Sequence, residues 1–128
     1  MKSYRATILS FIAFLMLLSC HLGVAQQLPA ERPPVNVAGN WTIYSKGDNG
    51  QTATQLIELQ QNGTALTGHF KGPHQSGGLE GTIDARHIVF RTKTREVLTF
   101  RGMVNGDSMQ GNFGIRGRHG TWQAQRNQ

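Results

Sequence analysis

The sequence predicts an all-β domain: an up-and-down antiparallel barrel of about eight short strands, preceded by a cleaved signal peptide. Three observations predict it. After Ala38 the apolar residues recur at every second position, the period of a strand with one buried face. Gly-rich and Asn-Gly stretches interrupt those runs at short intervals, as tight turns between sequential antiparallel strands do. The pattern apolar–x–Gly–x–apolar recurs as LTGHF, LEGTI, FRGMV and MQGNF, which sets Gly68, Gly81, Gly102 and Gly111 at the inward parity. A small barrel must bend its strands sharply, and inward glycine permits the bend while leaving room for a neighbouring ring.

The chain opens with Lys2 and Arg5, a nearly unbroken apolar run from Ile8 to Leu18, and small residues Gly23-Val24-Ala25. That is the layout of a secretory leader over residues 1–25, and its apolar run is too short to cross a bilayer as a helix. An alternative stays open, because Leu17-Leu18-Ser19-Cys20 resembles a bacterial lipobox in which Cys20 is lipidated. Both readings place the protein outside the cytoplasm, secreted or periplasmic in the first case and membrane-anchored in the second. Cys20 is the only cysteine, so no disulfide forms within the chain. Residues 26–37 carry three prolines and no periodicity, which predicts an extended, solvated linker ahead of a single domain at 38–128.

Each strand can be read in order. Trp41 and Ile43 alternate with Thr42 and Tyr44, then Ile57 and Leu59 with Glu58 and Gln60. Leu66, Gly68 and Phe70 form a third inward set, Leu79, Gly81 and Ile83 a fourth, and Ile88 with Phe90 a fifth. Leu98, Phe100, Gly102 and Val104 follow, then Met109, Gly111 and Phe113, and last Trp122 with Ala124. The turns fall at 47–50, 62–63, 72–78, 84–86, 93–96, 105–106 and 114–120. Asn62-Gly63 and Asn105-Gly106 are hairpin signals because both residues tolerate the positive φ of a type I′ turn. A single open sheet would expose two edges and one apolar face, and closure into a barrel removes both problems.

Gly39-Asn40-Trp41 at the first strand, ahead of an up-and-down strand series, resembles the calycin superfamily of lipocalins and avidins. That resemblance implies a basic side chain from near the chain's end set against the tryptophan, a part that falls to Arg126. The closing run Gly120-Thr121-Trp122-Gln123-Ala124 and the glycine repeats also resemble small exported bacterial domains. The chain departs from lipocalins in being short, and in lacking their C-terminal helix and disulfides. No residue set reproduces the biotin site of avidin.

The inward residues are nearly all apolar, which predicts a filled core. If a ligand enters, it is a hydrophobic small molecule against the interior rings Trp41, Phe70, Phe90, Phe100 and Trp122. Thirteen Lys and Arg outnumber seven Asp and Glu, and all but Lys2 and Arg5 lie beyond the leader. Arg91, Lys93, Arg95 and Arg101 cluster on one expected hairpin, and Arg116 and Arg118 in the loop GNFGIRGRHG. Such basic groups suit an acidic polymer or lipid headgroups. Aromatic residues are not interleaved with them, so neither base stacking nor sequence-specific nucleic-acid binding is expected. His69, His74, His87 and His119 show no metal-ligand spacing, the carboxylates are scattered, and no nucleophile motif or phosphate loop occurs. The expectation is an exported, non-catalytic binding or accessory module without metal or cofactor. A small lipophile carrier and an envelope protein anchored through Cys20 are its alternatives.

Overall fold

The computed structural model describes residues 33–128; the expected leader, its Ala25 cut, Cys20 and the first part of the linker lie outside them. Eight strands follow one another: β1 (Gly39–Gly47), β2 (Thr52–Asn62), β3 (Ala65–Lys71), β4 (Ser76–Asp84), β5 (His87–Lys93), β6 (Thr99–Asn105), β7 (Ser108–Ile115) and β8 (Arg118–Arg126). Every strand pairs antiparallel with its neighbours in sequence, and β1 pairs with β8 from Trp41↔Arg126 to Gly47↔Gly120. The sheet is therefore a closed barrel, and no strand is left with an unpaired edge.

Alternation decides which residues fill it. On β1 Trp41, Ile43 and Ser45 are buried, and on β5 Ile88, Phe90 and Thr92 are, with exposed or half-buried residues between. Phe100 is the hub of the interior. Its ring stacks on Phe90 at 4.8 Å and 15°, meets Trp122 edge-on at 5.5 Å, and lies 6.0 Å from Phe113 and 6.5 Å from Phe70. The recurrent glycines make room for these rings. Gly102 stands opposite Gly111 across β6 and β7, and Gly111 stands opposite Trp122 on β8. The Trp122 indole occupies the space above this pair, since a β-carbon on Gly102 would fall 2.8 Å from its Cζ2.

Several features differ from the sequence expectation, and β4 begins at Ser76, inside the turn expected at 72–78. Gly63 and Gly106 take φ of 63° whereas Asn62 and Asn105 do not take positive φ. Each glycine is thus the first of two loop residues, the pattern of a II′ rather than a I′ turn. The expected loop at 114–120 is instead a two-residue turn, Arg116-Gly117, with both φ positive, and the strands run up to it on either side. Chain expected to be linker through residue 37 is packed from Val35. Val37 is fully buried, its N–H donates to Gln61 Oε1 at 2.8 Å, and Gln61 Nε2 donates to the Val35 carbonyl at 3.0 Å. The amide of Val35 also donates to the Ala85 carbonyl at 3.1 Å.

This strap closes one end of the barrel, the end holding the β2–β3, β4–β5 and β6–β7 turns. Trp41 Nε1 donates to the Val37 carbonyl at 2.9 Å, and the Arg126 guanidinium covers the Trp41 ring at 4.5 Å. The other end, between the β1–β2, β3–β4 and β5–β6 loops and the β7–β8 turn, has no such plug among the described residues.

Candidate functional site

The alternation that buries Trp41 and Ile43 on β1 continues one step to Ser45, and on β2 the step beyond Ile57 is Gln55. Both polar side chains therefore face the lumen near its open end, where Ser45 is 5% exposed and Gln55 6%. Gln55 stands opposite Ile43, and Ser45 opposite Ala53. A hollow of about 1030 Å³ lies over this end, with half-buried Phe113 and Ile115 as apolar groups, whereas Phe70, Leu98, Ser45 and Gln55 form its almost wholly covered floor.

The polar groups of the mouth are not equally satisfied. The Thr92 hydroxyl lies 2.7 Å from that of Thr94 and accepts from the Leu98 amide at 3.0 Å. Ser45 Oγ reaches the Ala53 carbonyl at 3.5 Å. Gln55 Oε1 is buried and receives no hydrogen bond from the described residues. Leaving a buried acceptor unpaired costs about 1–3 kcal/mol, so such a group is out of place in a plain core and at home in a binding cavity.

The rim is held in shape by its own bonds. Gln75 Nε2 donates to the Glu96 carbonyl at 2.7 Å while the Glu96 amide donates to Gln75 Oε1 at 3.0 Å, tying the β3–β4 loop to the β5–β6 loop. The Asp48 amide donates to the His119 carbonyl at 2.9 Å, which ties the β1–β2 loop to β8. A mouth cross-linked in this way keeps its shape before anything binds, and that lowers the entropic cost of binding.

Of the five interior rings the sequence offers, the structure brings Phe70, Phe90, Phe100 and Trp122 into one cluster and sets Trp41 apart at the closed end. Only Phe70 of the five lines the mouth. Trp122 Nε1–H is shared between the carbonyls of Arg101 at 3.1 Å and Asn112 at 3.0 Å, so this ring is fixed in the wall. The six basic residues do not form one patch. Lys93 pairs with Glu80 at 3.3 Å, and Arg116 with Glu96 at 3.4 Å. Arg95 and Arg118 line the mouth, whereas Arg91 and Arg101 stand on the outer wall of β5 and β6. A shallower hollow on that wall runs past Arg101, Met103, Gln123 and Tyr44. Among the described residues, no three His, Cys, Asp or Glu gather closely enough to hold a metal ion.

Sequence reasoning passed over Ser45 and Gln55. Their signal was parity alone, carried one position beyond the last apolar residue of β1 and ahead of the first on β2.

Comparison with known proteins finds likeness among solved structures. No family model matches the chain, and no curated protein does. A redesigned β-barrel superposes with a TM-score of 0.59 at 14% identity, covering 72% of this chain and 92% of that one. The likeness is one of fold alone. A chain designed to close as a small barrel and this one reach a common architecture with little sequence in common, which fits a fold set by alternation, turns and inward glycine.

Proposed function

We propose that the chain is an exported, non-catalytic binding module that takes a small, largely apolar ligand into the open end of its barrel. One observation carries this reading: the mouth joins an apolar lining, Phe70, Leu98 and Phe113, to a buried, unpaired acceptor on Gln55. Mostly apolar walls with a few convergent polar groups are the make-up of small-ligand sites. Phe90, Phe100 and Trp122 fill the lumen beneath, so the ligand sits at the mouth and does not thread the barrel. Kinship with the calycins belongs to the same proposal and is supported by Arg126 lying against the Trp41 of Gly39-Asn40-Trp41. So does export by the leader, with a lipid anchor at Cys20 as its alternative; the mass of the mature N-terminus distinguishes the two.

An amide-resolved NMR titration with small aromatic alcohols tests the mouth. Resonances of Gln55, Leu98 and Phe113 are expected to shift, and those of Ile83 and Ile88, near the closed end, to stay. Shifts confined to the closed end or the outer wall, or none at all, would overturn the proposal.

A second reading concerns an anionic polymer on the outer wall. Arg91 and Arg101 project there from neighbouring strands, and neither forms an ion pair with a carboxylate among the described residues. Salt-sensitive retention on an acidic polymer, abolished by Arg91→Glu with Arg101→Glu, is the expected result; retention unchanged in that variant removes this reading.

A further inference from the structure

Resting on the mouth as a ligand site, we infer the chemical class of the ligand: an uncharged, largely apolar molecule that delivers a hydrogen-bond donor, a hydroxyl or an N–H, to Gln55 Oε1. The acceptor belongs to a side chain 6% exposed on the floor of the hollow, and its Oε1 is buried with no donor among the described residues, so a ligand reaches it by displacing the side chains that cover it. The other polar groups at this end have partners of their own, Ser45 most loosely, since its hydroxyl reaches the Ala53 carbonyl at 3.5 Å. Thr92 is bonded to Thr94 and to the Leu98 amide, and Gln75 is bonded twice to Glu96. What Gln55 Oε1 lacks is a donor, and a donor is what the ligand has to bring.

Charge is excluded by position. The cations of the mouth, Arg95 and Arg118, belong to its exposed rim. A carboxylate carried inward would leave their reach and meet Gln55 Oε1 with only lone pairs of its own, at the cost of losing its hydration. The apolar body has its counterpart in Leu98, which enters β6, four strands round the ring from β2 and hence across the lumen from Gln55, with Phe70 and Phe113 between them on either side. The polar group therefore goes in first, and the apolar body lies against these side chains.

Three matched probes test the assignment at neutral pH: naphthol, methoxynaphthalene and naphthoate, each titrated into the protein and followed by the Gln55 side-chain amide and the Leu98 and Phe113 resonances. Naphthol has the donor, methoxynaphthalene only an acceptor, and naphthoate a charge. Naphthol is expected to bind on the order of 3- to 10-fold more tightly than methoxynaphthalene, the worth of one net hydrogen bond. In Gln55→Leu that ratio falls to about one, because the acceptor is gone while the apolar lining stays. Gln55→Met gives the same collapse and serves if the leucine variant does not fold. Equal affinities in the unaltered protein, tightest binding of methoxynaphthalene or naphthoate, or a ratio that survives both substitutions overturns the donor assignment and leaves the mouth reading standing. A Gln55 amide turned to present Nε2 would give that second result. If none of the probes moves the mouth resonances, the mouth reading falls and this inference falls with it.

Discussion

The indole of Trp122 covers Gly102 closely enough that a β-carbon on the glycine would lie 2.8 Å from Cζ2 of the ring and also collide with the Gln110 carbonyl. The ring has little freedom to yield, because its Nε1–H is held by carbonyls of β6 and β7 and it meets Phe90 and Phe100 in T-shaped contacts. Gly102→Ala is therefore expected to cost about 1–3 kcal/mol by overpacking, read from urea unfolding. In a Trp122→Leu background the same substitution should cost less, with a coupling of at least about 0.5 kcal/mol. Strictly additive losses would show that the indole does not press on Gly102.

Gly63 is required for a different reason. It has open space around it, but its φ is 63°, a region that costs a side-chain-bearing residue about 1–2 kcal/mol. Gly63→Ala should lose about that much, and Gly63→Asn should lose less, since asparagine tolerates this conformation better. Equal losses for the two variants would place the cost in packing rather than in the backbone.

Arg126 holds the closed end together by four contacts. Its guanidinium lies over Trp41, donates to the carbonyls of Ala38 and Asn36, and meets Asp107 at 2.8 Å. A lysine keeps the charge but not the planar fork, so Arg126→Lys should cost about 1–2 kcal/mol and speed amide exchange at Val37. Asp107 is 68% exposed, and Asp107→Asn should cost under about 1 kcal/mol. Should the aspartate variant do the greater damage, the stabilising contact is the surface ion pair and not the strap beneath the arginine.

Strand existence and facing were legible because alternation is a local signal. Ile57 and Leu59, or Ile88 and Phe90, announce their face from two residues. Closure was legible too, since an open sheet of these strands would expose two edges and one apolar face. The strap was not, because Val35 and Val37 are held by Gln61 and Ala85, contacts between a non-periodic segment and distant groups. In GNFGIRGRHG the density of glycine imitates a loop, whereas a turn of only two residues suffices there. That Lys93 and Arg116 are paired was not legible, because ion pairing to Glu80 and Glu96 is set by register and loop placement. The mouth was missed for a related reason: a polar residue at inward parity reads as the end of a strand, and here the strand continues through Gln55.

Two glutamines at opposite ends of β2 give the sharpest test of that last point. Gln61 has both amide atoms engaged, with the Val37 amide donating to Oε1 and Nε2 donating to the carbonyls of Val35 and Gly63. Gln55 is more deeply buried and has an unpaired Oε1. The same substitution should thus act with opposite sign. Gln61→Leu strands the strap's donor and acceptor groups and should destabilise by about 1–3 kcal/mol. Gln55→Leu removes the unpaired acceptor, adds apolar surface against Phe70, and should stabilise the protein by about 1 kcal/mol. Both are read from the urea midpoint at unchanged slope. A protein that becomes more stable when its mouth loses Gln55 is one that retains a costly residue there, as stability given up for binding predicts. If Gln55→Leu instead destabilises, the acceptor is satisfied in solution and Gln55 is an ordinary part of the core.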